Sequence, residues 1–143
     1  MYSLGYGDVL LRLGAAVLAG ALIGFDREMR DKPAGLRTMA LVALGSAMFV
    51  LTSVGGASAD SSSRVIQGIV TGIGFLGAGT ILRGPVEQAT RGLTTAASVW
   101  LSAAAGVAAG LAIWPVVLVG CGLGLVILIL APVEQRLKKT IRD

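Results

Sequence analysis

Seven charged side chains fall within twelve residues, from Asp26 to Arg37, and carry most of the reactive-looking chemistry of the 143-residue chain. The acids are Asp26, Glu28 and Asp31; the bases are Arg27, Arg30, Lys32 and Arg37. Magnesium takes oxygen ligands and keeps several waters, so one or two carboxylates suffice to hold it. Asp26 and Glu28, with Glu87 from a later loop, are the candidate ligands for Mg2+. The cations offer a second chemistry. Thr38, Thr94 and Thr95 stand at the starts of apolar stretches, where free backbone N–H groups and the positive end of a helix dipole favour an anion. Arg37 and Arg91 would strengthen that field. Two plainer readings stand beside these: the acids pair with neighbouring bases to shape a loop, and the threonines cap their helices.

The rest of the chain must position that cluster, and it is built for a bilayer. Apolar residues make up 55% of it, charged residues 14%, and the mean hydropathy is +0.82. Soluble domains carry about 25% charge. Apolar windows run from Val9 to Phe25, Thr38 to Val54, Val65 to Leu82, Thr94 to Gly110 and Leu111 to Ala131, each near the roughly 17 to 25 residues that cross the hydrocarbon core. The last two need a break, because one helix from Ala96 to Ala131 would far exceed a core of about 30 Å. Gly110 to Pro115 supplies it. The fold expected is a single all-α membrane domain of five transmembrane helices, with residues 132–143 as a basic cytoplasmic tail.

Orientation follows from lysine and arginine placement. Ten of the twelve fall in the first connection, around the third, or in the tail; Arg12 and Arg64 fall on the other side. That puts the N-terminus outside and the C-terminus in the cytoplasm. The start of the chain lacks the basic region and cleavage site of a secretory signal.

Several chemistries are excluded or weak. The chain has no histidine and one cysteine, Cys121, so an intrachain disulfide and His- or Cys-based metal sites and triads are ruled out. Cys121 reads as a small packing residue. Basic residues flank apolar spans rather than forming a stripe, which argues against nucleic acid. Gly72 to Gly77 fits Gly-x-Gly-x-x-Gly but lies within a span, where no strand precedes it. No enzyme is expected.

Glycine is the other conspicuous element, 21 in all. Gly68, Gly72, Gly74, Gly77 and Gly79 crowd the third span, and Gly20/Gly24, Gly68/Gly72, Gly106/Gly110 and Gly120/Gly124 have small-xxx-small spacing, the pattern by which membrane helices approach closely. The third span is therefore expected at the centre of the bundle, with the fifth facing lipid. Glycine faces also predict a homo-oligomer, most simply a dimer. An interrupted helix beside a transporter-type site is the sharper alternative. Gly-Leu-x-Thr-x-Ala at Gly35–Ala40 and again at Gly92–Ala97 is consistent with a two-helix repeat; in so glycine-rich a chain, coincidence explains it equally.

Four stretches in order resemble the MgtC/SapB family of bacterial inner-membrane proteins: Ile23–Glu28, Pro33–Thr38, Gln67–Gly79 and Arg91–Trp100. Asp26 stands where the family pattern usually has glutamate. Many members continue into a soluble cytoplasmic ACT-like domain, and this chain ends at Asp143 after its basic tail. The resemblance implies a multi-pass bacterial inner-membrane protein associated with growth in low magnesium and survival inside host cells. It implies regulation rather than transport, through a membrane protein partner such as the F-type ATP synthase. The alternative is a transporter or channel for magnesium or an anion. On either reading the functional cluster expected is Asp26, Arg27, Glu28, Arg37, Thr38, Arg91 and Thr95.

Overall fold

A computed structural model describes residues 4–54, 59–82 and 89–142, with side chains described except at 59, 82, 89–91 and 131–142. It contains five helices: α1 (Tyr6–Met29), α2 (Leu36–Val54), α3 (Ala59–Leu82), α4 (Ala89–Gly110) and α5 (Trp114–Arg142). The described residues contain no strand. Four helices are long and apolar enough to cross a membrane, and Trp114–Leu130 adds a shorter apolar one. The expected all-α bundle is what forms. The first four helices begin before their apolar windows, whereas α5 begins at Trp114, inside the window that opens at Leu111, and continues past Ala131 to Arg142.

The two short connections close by the same device. At the end of α1, Lys32 N–H donates to the Arg27 carbonyl at 3.0 Å and Asp31 N–H to the Glu28 carbonyl at 3.2 Å. At the end of α4, Ile113 N–H donates to Ala108 and Ala112 N–H to Ala109, both at 2.9 Å. Crossed bonds of this kind satisfy the last carbonyls and need one left-handed residue. Asp31 (φ 49°) and Ala112 (φ 57°) take that position. The break expected between Gly110 and Pro115 is present, but Gly110 is not its pivot. It packs instead, an added Cβ falling 3.0 Å from the Ala47 carbonyl oxygen.

The centre of the bundle is α4, not α3. Half of the α4 span is buried against 11% of the α3 span. Small side chains make this possible: Val99, Ala103, Ala105, Ala108 and Ala109 meet Met39, Ala43 and Ala47 of α2 and Ala16, Ala19 and Ile23 of α1 in one apolar core. A Cβ at Gly20 would lie 2.5 Å from the Met39 carbonyl oxygen, and one at Gly106 would collide with the Ala43 backbone. The expectation that glycines pack span three at the centre is corrected for four of its five. Gly68, Gly72, Gly74 and Gly79 face open space, and Gly77 alone among them meets α4, at Ala96 and Trp100. Glycine content marked α3 as central, yet alanine on α4 achieves the close approach at lower conformational cost. The fifth helix is as expected: Leu118, Val119, Leu123 and Ile127 are exposed while Val117, Cys121 and Leu128 face the core.

Candidate functional site

Arg27 is the third residue from the end of α1, on the face that also carries Gly20, Ile23 and Gly24. That face packs on α2 and α4, so the side chain is carried inward rather than to water, and the residue is 2% exposed. A buried cation is costly unless its donors are met. Here four of them are. Nε donates to the Ala34 carbonyl (3.2 Å), Nη2 to the Pro33 carbonyl (2.9 Å) and the Thr95 hydroxyl (2.5 Å), and Nη1 to the Ser98 hydroxyl (3.1 Å). The planar guanidinium fork suits such divergent partners.

The two carbonyls come from the α1–α2 turn, where Ala34 has φ 58°. The two hydroxyls come from α4, 68 and 71 positions away. Ser98 passes the bond on, donating to the Thr94 carbonyl at 2.8 Å. One turn further along α4, Ser102 donates to the Met39 carbonyl of α2 at 2.6 Å. Thr95, Ser98 and Ser102 recur at i, i+3 and i+7, which places them on one side of a helix. This polar seam ties α4 to α1, the turn and α2.

Arg12 makes the matching contact at the opposite end of the bundle. It donates to the Gly110 carbonyl at 3.0 Å and pairs with Asp8 at 2.8 Å. A cation there meets the negative end of the α4 dipole. Two arginines of one helix thus hold the two ends of α4.

The remaining charges of the first connection have separate tasks. Asp26 pairs with Arg30 at 2.9 Å, one turn on. Glu28 reaches across the turn, its Oε2 accepting from the Leu36 N–H at 3.0 Å, and so caps α2. Positions i and i+2 of a helix do not face each other. Asp26 and Glu28 accordingly do not converge on one point, and this pair does not fit as a joint magnesium site. Glu87 lies outside the described residues. Among the described residues, no three acidic, histidine or cysteine side chains are grouped to hold a metal.

Of the cluster expected from sequence, Arg27 and Thr95 are brought into contact, with Asp26 and Glu28 beside them. Arg37 and Thr38 are exposed and take no part in the seam. The Arg91 side chain is outside those described. Sequence reasoning missed Ser98 and Ser102. Their helical spacing from Thr95 was the available signal.

The MgtC family model matches residues 13–137. The chain is 54% identical over 102 residues to Protein MgtC of Salmonella typhimurium, covering 71% of this chain and 43% of that protein. It is 45% identical over 122 residues to Protein SrpB of Synechococcus elongatus (76% and 66%). Against Protein MgtC of Brucella abortus the identity is 51% over 98 residues (68% and 40%). The matched region thus spans less than half of either MgtC relative's length. No solved structure matches.

Proposed function

This chain belongs to the MgtC family of multi-pass membrane proteins, and from that premise we propose that it is a regulatory protein of the bacterial inner membrane, linked to magnesium limitation, that acts by contact with another membrane protein and carries out no chemistry of its own. One observation carries the reading. The charge set deepest in the described bundle, Arg27, is engaged on four sides in holding helices together. The other buried polar residues are Ser46, Ser53, Thr95, Ser98 and Ser102, with no carboxylate among them. Pathways for cations and protons characteristically place acidic groups inside the span. A locked arginine surrounded by hydroxyls instead favours a rigid body that works through its surface.

Asp26, Arg30 and the exposed Arg37 form the charged surface at the end where α1 meets α2. In this reading they make the aqueous part of the docking face, and an F-type ATP synthase is the partner that the family resemblance suggests. Ion flux through the purified chain in proteoliposomes tests the proposal, with magnesium and common anions measured separately. The expected result is no saturable flux, together with a change in proton pumping when F-type ATP synthase is co-reconstituted, abolished in Asp26→Asn. A saturable flux lost in Asp26→Asn would replace the regulator with an ion pathway.

A further inference from the structure

An open groove of about 660 Å³ runs between α2 and α3. Leu41, Gly45 and Phe49 line one wall and Gly68, Gly72 and Leu76 the other. We propose that this groove and the adjoining face of α3 form the interface of a twofold-symmetric dimer, the occupant being α3 of a second copy of this chain.

Three observations choose that occupant. First, Gly45, Gly68 and Gly72 have no atom within 4 Å of where a Cβ would stand, so backbone is bare along both walls. Acyl chains gain nothing particular from bare backbone, whereas a second helix gains close van der Waals contact from it. Second, Ser46 is 4% exposed, lines the groove, and finds no hydrogen-bond partner among the described residues. Lipid tails offer its hydroxyl nothing; a helix brings backbone carbonyls and hydroxyls. Third, the face is self-complementary in charge. Asp60, Arg64, Gly68 and Gly72 are spaced by four and form one slanted ridge of α3. Asp60 and Arg64 are both exposed, and neither makes an ion pair within the described chain.

Two copies inserted in the same direction and related by an axis along the membrane normal place their α3 helices parallel. Crossing at Gly68 and Gly72, with the angle of about −40° common to such ridges, brings Asp60 of each copy to Arg64 of the other. Two ion pairs then close the end of the interface away from the Arg27 seam. Phe75, 82% exposed and seven residues from Gly68, supplies a bulky side chain to lie against the second copy. Assembly through this face is independent of whether the chain regulates or conducts.

Oxidative cross-linking of the full chain in membranes tests the proposal. In a Cys121→Ala background, Gly68→Cys is expected to give a disulfide-linked dimer, and Leu118→Cys, exposed on α5, is not. Adding Asp60→Arg or Arg64→Asp to Gly68→Cys should each lower the dimer. Co-expression of the two charge variants should restore it as a mixed dimer, which damage to either fold could not do. Three results would overturn the proposal: no dimer from a Gly68→Cys chain that melts like its parent, which leaves the groove to lipid; equal cross-linking at Leu118→Cys; or an adduct only with a foreign membrane protein. Failure of the charge variants to recover on mixing would do so as well.

Discussion

The Arg27 guanidinium of α1 and the Thr95 hydroxyl of α4 meet at 2.5 Å although 68 positions separate them in the chain. The contact makes the charged connection part of the bundle interior. It also converts an arginine that looks like a surface residue into the main polar tie between the two halves of the sequence.

Removing that tie is costly. Arg27→Ala would remove four charge-assisted hydrogen bonds at once, two of them to the buried hydroxyls of Thr95 and Ser98 and two to the Pro33 and Ala34 carbonyls of the turn. Hydrogen bonds to a charged group contribute about 1.5–3 kcal/mol each, and with water and the remaining partners recovering part of that, the expected loss is about 3 kcal/mol. Arg27→Lys should recover only part of it, because an ammonium cannot reproduce the fork. Arg30→Ala, removing a half-exposed pair with Asp26, should cost about 0.5 kcal/mol or less. Thermal unfolding of the three variants in one detergent ranks them.

Glu28 separates a capping role from a metal role. Glu28→Ala removes the acceptor for the Leu36 N–H and should destabilise the chain by about 1 kcal/mol. Glu28→Gln retains an acceptor oxygen and should cost no more than a few tenths. A metal ligand would respond differently, since the amide loses the charge that magnesium requires. Melting curves with and without magnesium should therefore show Glu28→Gln close to the parent in both.

Much of the fold was legible because membrane helices announce themselves by length, hydropathy and charge placement. The break before Pro115 and the outward face of α5 were visible for the same reason. The centre of the bundle was not. Gly68 and Gly72 and Gly106 and Gly110 share one spacing, and only the fold decides that the second pair packs on α2 while the first faces open space. Thr95 was singled out as a helix-start residue, and Arg27 as part of a loop cluster. Their meeting depends on the register of α1 against α4, which no local pattern encodes. Ser98 and Ser102 were passed over because serines in an alanine-rich span resemble any other small residue until a donor is found opposite them.

The glycine contrast can be measured. Gly106→Ala places a methyl group against the Ala43 backbone, and Gly20→Ala places one 2.5 Å from the Met39 carbonyl oxygen. Backbone cannot yield as a side chain can, so each should destabilise by about 1–3 kcal/mol, the usual range for overpacking. Gly72→Ala meets open space and should leave the melting temperature of the monomer unchanged or slightly raised, as alanine is the better helix former. Expression level and thermal melting in detergent distinguish the two classes.

Ala112 offers a test in the stabilising direction. It closes α4 with φ 57°, a left-handed conformation that a Cβ disfavours by about 1 kcal/mol. Its N–H already donates to Ala109, so Ala112→Gly keeps the crossed hydrogen bonds and removes only the strain. The greater freedom of glycine in the unfolded chain offsets part of the gain. The net expected is a stabilisation of a few tenths to about 1 kcal/mol, read as a raised melting temperature. Ala112→Val should move the other way and by more, since a β-branched residue tolerates positive φ least. Were both variants to melt together with the parent, the turn would not be closed by a left-handed residue, and the junction between α4 and α5 would need a different account.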